Sequence, residues 1–374
     1  MHRHQGQTPL DRIIREKIYQ EGPISLSDYM SLCLGHPQFG YYISRDPLGV
    51  GGDFTTAPEI SQIFGELIGA WLINAWQQMG APSNFILLEF GPGRATLMAD
   101  ILRVAEKVPD FLEAMQLCLM ETSSVLQKIQ KNTLQKYASD INIKWIKTFK
   151  ELSNEGPILC VGNEFLDALP VDQYTLTEAG WAKKYIKINK NGSFCFCDCY
   201  KKDHEKNVKN GHTKSLFDYM LGDVIEISDE LNNFLNDLTI RLQKQGGAGL
   251  FIDYGTLHSE PGDTVQAIHD HQYSSIFASP GLNDITWHIR FGEIKNYALS
   301  KNLTVFGPVS QGSFLKALGI ELRGSNLKQN ASEAHRVAIN KAINRLVAPD
   351  QMGNLFKVIA MTSHGTIDLE GFSS

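Results

Sequence analysis

The apolar residues of this chain follow two rhythms. Up to about residue 80 they recur at intervals of three and four, the spacing of a buried helix face. Residues 9 to 34 read as two short helices broken at Gly22-Pro23. A loop rich in glycine and aromatics follows from Gly35 to Thr56, including Phe39-Gly40-Tyr41-Tyr42. Thr56-Ala57-Pro58-Glu59 then has the form of a capping box with proline in the first turn. The helix it predicts runs to about Met79 on a stripe that includes Ile63, Phe64, Leu67, Trp71 and Trp76, and Gly80 ends it.

After Gly80 the rhythm changes. Short solid apolar runs, the mark of strands buried on both faces, alternate with helical stretches. Phe85 to Phe90 is the first such strand, and Gly91-Pro92-Gly93 turns the chain into a helix from Ala95 to Val108, ended by Pro109. Strands follow at Leu117 to Glu121, Ile141 to Ile146, Ile158 to Asn163 and Gly249 to Asp253, with late strands at Leu303 to Phe306 and Leu355 to Met361. Ser123 caps a helix to about Tyr137, and another spans Asp229 to Lys244. This alternation predicts an α/β fold with a doubly wound parallel sheet. Two segments interrupt it. Gln173 to Tyr200 alternates around the hairpin signal Asn191-Gly192, and Thr256 to Arg290 is loop-rich. The expected organisation is an N-terminal helical lid and cap over 1–80, a core over 81–255 with an inserted β-ribbon at 171–222, substrate-side loops at 256–300, and core-completing strands and helices over 301–374.

Composition narrows the function. A hydrophobic content of 43% supports a large core, and a net charge of −6 without a dense basic patch argues against nucleic acid. No apolar run approaches a membrane span, and the first residues lack a signal-peptide core. Cys118 and Cys160 sit inside apolar strands, which suits reduced thiols. The expected location is a cytoplasm of bacterial type, or the mitochondrial matrix for a processed eukaryotic form.

The chemistry concentrates at strand ends, where open α/β sheets bind ligands. Glu89-Phe90-Gly91-Pro92-Gly93 invites comparison with a dinucleotide fingerprint, but Thr96 stands at the third glycine position. Glu89 would also face a pyrophosphate with a like charge. S-adenosylmethionine carries a sulfonium and an ammonium instead, so a carboxylate there helps, while glycines still let the backbone approach. Glu121, at the end of the second strand with Thr122 beside it, suits the ribose hydroxyls. Alone, an acid there could equally serve the next helix as a cap partner. Asn163 and Glu164 end the fourth strand on the same crevice, where they could also start a helix.

Several ordered blocks then resemble one family. They are Gly52 to Gln62, Glu89 to Arg94, Asn163-Glu164-Phe165-Leu166-Asp167-Ala168-Leu169-Pro170-Val171, Ile252 to Gly255, Gly262 to Ala267 and Met352 to Val358. Together they resemble the MidA-like class I S-adenosylmethionine-dependent methyltransferases, whose mitochondrial members are complex I assembly factors. The resemblance implies a Rossmann-like, seven-stranded methyltransferase sheet with an N-terminal lid and inserted segments. It also implies protein arginine methylation, with a respiratory NADH dehydrogenase subunit as the mitochondrial target. Gly91 and Gly93 would form the cofactor turn with Glu89, Glu121 and Thr122 the ribose site, and Asn163-Glu164 the element after strand four. Ala95, where a glycine is expected, and Arg290, where an acid is expected, depart from the pattern.

An arginine acceptor needs carboxylates that grip a planar guanidinium. The candidates are Glu164 first, then Asp167, Asp253 and Glu59, with His288 as proton acceptor or positioning group. Two other readings stay open: a non-catalytic assembly factor that keeps the cofactor pocket and binds a partner, and a methyltransferase for a small molecule or another side chain. No metal is expected. Cys195, Cys197 and Cys199 read as one strand face, and His258 and His269-Asp270-His271 lack a ligand pattern.

Overall fold

A computed structural model describes residues 8–44, 55–211, 219–258, 260–269, 272–363 and 367–372. Residues 45–54, which hold part of the Gly35 to Thr56 loop and the start of the Gly52 to Gln62 block, and the pair Asp270-His271 lie outside these residues. The central sheet is built from β1 (Phe85–Phe90), β2 (Met115–Met120), β3 (Ile143–Ile146), β4 (Ile158–Asn163), β5 (Gly247–Thr256), β6 (Thr304–Ser310) and β7 (Phe356–Thr362). Their order is β6-β7-β5-β4-β1-β2-β3, and a short strand, Ile289–Arg290, pairs in parallel with the end of β5. β7 alone among these runs against its neighbours, pairing antiparallel with both β5 and β6. The expected strands are therefore present in an α/β fold, but the sheet is mostly parallel where a wholly parallel one was expected, because β7 runs against its neighbours.

Strand alternation divides the core between the sheet's two faces. Leu87, Leu159, Val161, Leu250 and Ile252 join one apolar cluster, while Ile86, Leu88, Phe90, Ile158, Cys160 and Phe251 join the other. Helix α3 (Gln62–Gln78) supplies the first cluster with Phe64, Trp71 and Trp76. Helices α1 (Pro9–Glu21) and α2 (Leu26–Gly35) belong to the second, through Leu10, Ile14, Tyr29 and Met30. Each large apolar side chain buried this way contributes about 1.5–3 kcal/mol relative to exposure. Further helices are α4 (Thr96–Ala105), α5 (Ser124–Thr133), α6 (Asp229–Gln245) and α7 (Phe291–Ser300).

Four local expectations change. The helix predicted from Thr56 is interrupted: a single turn, Ala57–Ile60, is separated from α3 by Ser61 in an extended conformation. Ser61 caps α3 with its own hydroxyl, whereas Thr56 makes no side-chain cap, and Glu59 reaches Thr96 instead of closing a capping box. Pro109 does not simply end a helix, because it begins the short helix Pro109–Ala114. The inserted ribbon is part of a five-stranded sheet: Asp172–Thr177, Gly180–Ile188 and Phe194–Tyr200 are joined by Val224–Ile227 and by the N-terminal pair Ile24–Ser25. Local pattern could not show that Ile24 and Ser25 pair with Ile186 and Tyr185, 160 residues away in the chain. Finally, the loop-rich stretch contains a three-stranded sheet of Gln266–His269, Gln272–Ser274 and Asp284–Thr286.

Candidate functional site

The strands that carry the predicted residues end level with one another. Phe90 lies opposite Met120 on one side and Gly162 on the other, and Asn163 lies opposite Ile252. Beyond these pairs the main chain stays tied, with Gly91 N–H donating to the Met120 carbonyl and Glu164 N–H to that of Ile252. A cavity of about 580 Å³ opens at this edge, within the usual range for small-molecule sites. Its wall includes Glu89, Gly91, Gly93, Glu121, Thr122 and Asn163, the full set predicted to face a cofactor.

The turn after β1 is left-handed at three positions: Gly91 (φ 56°), Gly93 (φ 53°) and Ala95 (φ 61°). Ala95 tolerates this conformation with its methyl group fully buried in the core, so the departure noted in the sequence is absorbed locally. Gly91 has no such freedom, because a Cβ there would sit 3.0 Å from Cδ2 of Phe165. Gly91→Ala is expected to cost about 1–2 kcal/mol from backbone conformation alone and to weaken cofactor binding as Phe165 moves. Thermal unfolding and titration with S-adenosylhomocysteine check both effects.

Two carboxylates line the turn. Glu121 is well supported: Oε1 accepts from Ser123 N–H at 2.7 Å and Oε2 from the Gln130 amide at 3.0 Å. Burial raises its pKa, and these hydrogen bonds oppose the rise. Glu89 is only 3% exposed, and its Oε2 has no hydrogen-bond partner. Burial, reinforced by Glu121, holds its pKa well above the carboxylate range. Oδ1 of Asn163 is likewise buried and unpartnered. Buried acceptors normally find donors, so these two acceptors fit a ligand that brings an ammonium or hydroxyls. A pyrophosphate beside Glu89 and Glu121 would bring only further negative charge.

A second group of acids lines the same cavity. Glu164 and Asp167 come from the turn after β4, and Asp284 from the three-stranded sheet. Glu164 is held at φ 51°, a conformation disfavoured for a residue with a side chain. Its Oε1 accepts from Ala57 N–H at 3.2 Å and from the Asn163 amide at 3.1 Å. Removal from bulk water, with Asp253 and Asp284 nearby, pushes its pKa up to about 8. Asp167 is raised well above the usual range by burial and by the Asp253, Asp284 and Glu164 charges. Tyr42 donates to both oxygens of Asp284, at 2.9 and 3.0 Å. Tyr254 also lines the cavity.

Three predicted catalytic residues stand elsewhere or are otherwise engaged. Asp253 is 1% exposed and does not line the cavity. Its carboxylate accepts from the N–H groups of Phe165, Leu166, Asp167 and Tyr254. It therefore shapes the turn that presents Glu164 and Asp167. Asp253→Ala is expected to lower stability by about 2–4 kcal/mol, since buried N–H groups lose a charged acceptor, and chemical denaturation measures this directly. His288 lies outside the cavity wall, its ring parallel to Tyr254 at 6.4 Å, and burial lowers its pKa. A direct proton-accepting role for His288 does not follow from this placement. Glu59 does reach the wall, but it accepts from Thr96 Oγ1 and faces Arg94 at 3.9 Å, bracing the Ala57–Ile60 turn against the glycine turn. Arg290 is buried against Glu226, donating to its carbonyl at 2.9 Å, so the missing acid at that position leaves the cavity wall unchanged.

Sequence reasoning did not assign Tyr42, Asp284, Tyr254 or Gln130 to the site. The Tyr41-Tyr42 pair was visible as aromatic, but only folding places Tyr42 and Asp284 together on this cavity. Among the described residues no group of three or more His, Cys, Asp or Glu side chains is arranged to hold a metal, and the six cysteines are free thiols. No described helix is long and apolar enough to cross a membrane.

This strand order, glycine turn and strand-end acid define a Rossmann-like methyltransferase. Comparison with known proteins places the chain within that class. A family model described as "Putative S-adenosyl-L-methionine-dependent methyltransferase" matches residues 67–309. The chain is 32% identical to mouse "Protein arginine methyltransferase NDUFAF7, mitochondrial", covering 96% of this chain and 85% of that protein. It is 33% identical to the Drosophila melanogaster homolog, covering 95% and 85%. A crystal structure from Burkholderia thailandensis, described as a COG1565 superfamily member and likely methyl transferase bound to S-adenosyl-homocysteine, superposes with a TM-score of 0.82. Their identity is 27%, over 96% of this chain and 92% of that one. The chain belongs to the MidA-like family of S-adenosylmethionine-dependent methyltransferases, and S-adenosylmethionine is its cofactor.

Proposed function

We propose that this methyltransferase acts on arginine in a protein substrate, and that Glu164 and Asp167 receive the guanidinium. The observation that carries this reading is the cluster of Glu164, Asp167 and Asp284, mutually close on the wall of the cavity that the glycine turn also lines. Acids crowded enough to raise one another's pKa form a site in which a permanent cation relieves the strain, and arginine stays protonated at any physiological pH. The mitochondrial relatives named as protein arginine methyltransferases support the same acceptor.

S-adenosylmethionine supplies, when bound, a methyl group on a sulfonium that departs with the bonding electron pair. The chain supplies orientation and a proton acceptor. Glu89 and Asn163 offer unpartnered oxygens to the amino-acid end of the cofactor, Gly91 and Gly93 allow close backbone approach, and Glu121 with Thr122 takes the ribose. At the acceptor end, Glu164 and Asp167 align one guanidinium nitrogen, and Glu164 takes the proton that nitrogen loses as its new bond to carbon forms. A carboxylate with a pKa near neutrality is suited to that exchange. Asp253 acts by shaping the turn, and Tyr42 with Asp284 completes the acidic wall. The described N-terminal residues, which bring Leu34, Tyr41 and Tyr42 to this wall, serve as its cover.

The proposed partner is a protein such as a subunit of a respiratory NADH dehydrogenase, met in a bacterial-type cytoplasm or a mitochondrial matrix. The test is incubation of the protein with isotopically labelled S-adenosylmethionine and purified NADH dehydrogenase, followed by mass spectrometry. Label on arginine nitrogen supports the reading. Label confined to another side chain would overturn arginine specificity. No label with cofactor bound would favour a non-catalytic assembly factor.

A further inference from the structure

We infer that Gln130 is a positioning residue for the cofactor, one side chain that ties the ribose carboxylate to the glycine turn. Gln130 lies on α5 and is fully buried. Its amide nitrogen donates to Glu121 Oε2 at 3.0 Å and to the Gly93 carbonyl at 2.9 Å. Its amide oxygen accepts from the indole N–H of Trp145 at 2.8 Å. An indole N–H can only donate, so Trp145 fixes which end of the amide faces which neighbour. Both N–H groups of Gln130 must then point at the cofactor elements.

A buried glutamine is a costly way to fill core space that leucine would fill as well. What leucine could not do is hold two elements from different strands in one orientation. Glu121 follows β2 and Gly93 follows β1, and the sheet pairs Phe90 with Met120 but does not orient a carboxylate or a turn peptide beyond that point. The Gln130 amide fixes both. It also opposes the rise in pKa that burial imposes on Glu121, favouring the carboxylate that can accept from two hydroxyls. Outer partners of this kind commonly decide the affinity of a site they do not touch.

This inference rests on the cofactor and not on the identity of the acceptor. The test is calorimetric titration with S-adenosylhomocysteine of the unmodified protein, Gln130→Leu, Glu121→Ala and the double variant, at pH 6 and pH 8. Gln130→Leu is expected to weaken binding by about tenfold or more, as for loss of a hydrogen bond to a charged group. The loss is larger at pH 6, because Glu121 without its donor holds a proton more readily. In the Glu121→Ala background the same change is expected to add less than about threefold, because the partner it acts on is gone. A Gln130→Leu protein that binds normally overturns the inference. So does one whose loss is pH-independent and adds in full to Glu121→Ala, which would mark a packing defect. Should Gln130→Leu fail to fold, Trp145→Phe removes the indole donor from a half-buried position while keeping an aromatic ring beneath Lys131. It is then expected to weaken binding in the same pH-dependent way, and unchanged binding would again overturn the inference.

Discussion

Glu164→Gln is expected to reduce methyl transfer by about a hundredfold to a thousandfold, the range for loss of a positioned general base, while S-adenosylmethionine binds as before. The variant isolates charge from shape. Both hydrogen bonds that orient Glu164, from Ala57 N–H and the Asn163 amide, end on the same oxygen, Oε1. A glutamine with its carbonyl oxygen in that place keeps both. What disappears is the negative charge that grips the guanidinium and the site that takes its proton. Calorimetry with the cofactor and single-turnover kinetics separate binding from transfer. Full turnover in Glu164→Gln would remove this residue from the mechanism and shift attention to Asp167.

The second large effect is a pH dependence with opposite signs in two measurements. With Glu164 pushed up to about 8 and Asp167 raised as well, the empty acceptor end binds protons near neutrality. An arginine peptide can bind fully only when those protons leave. Its affinity is therefore expected to rise by up to about tenfold per pH unit between about pH 6 and 8, then level off, with protons released on binding. Calorimetry in buffers of different ionisation enthalpy counts those protons. An uncharged citrulline counterpart should show no such dependence. An arginine peptide whose affinity stays flat across this range would contradict the raised carboxyl pKa values.

The stability of the protein without acceptor runs the other way. Glu164 holds its proton more tightly in the fold than in the unfolded chain, where its ordinary value is 4.5. The stabilising contribution is full below that value and is lost as pH rises towards about 8. Unfolding midpoints are expected to fall over this window, and Glu164→Gln, which cannot ionise, should flatten the decline. The charged site thus opposes the fold that holds it, as active sites often do.

Much of this protein was legible from its sequence because the relevant signals are local. Solid apolar runs mark the buried strands, and the turn Glu89 to Gly93 carries its own backbone requirement, seen at φ 56° for Gly91 and 53° for Gly93. The chain order of strand ends placed Glu121, Asn163 and Glu164 on one crevice, since parallel strands in an α/β sheet share a carboxyl edge. Spacing could not show whether an acid on that edge faces the cavity or the backbone. Asp253 and Asp167 look alike in sequence, yet one caps four N–H groups and the other lines the cavity. Nor could local pattern bring Tyr42 to Asp284, 242 positions apart in the chain. Strand periodicity and turn chemistry act over a few residues, so the sequence by itself determined the strands and the cofactor turn, and its ordered motif blocks, through their family resemblance, the class of reaction. Which carboxylates meet, how far they raise one another's pKa, and which amide holds the ribose acid depend on distances between remote segments, and only the tertiary structure decides those.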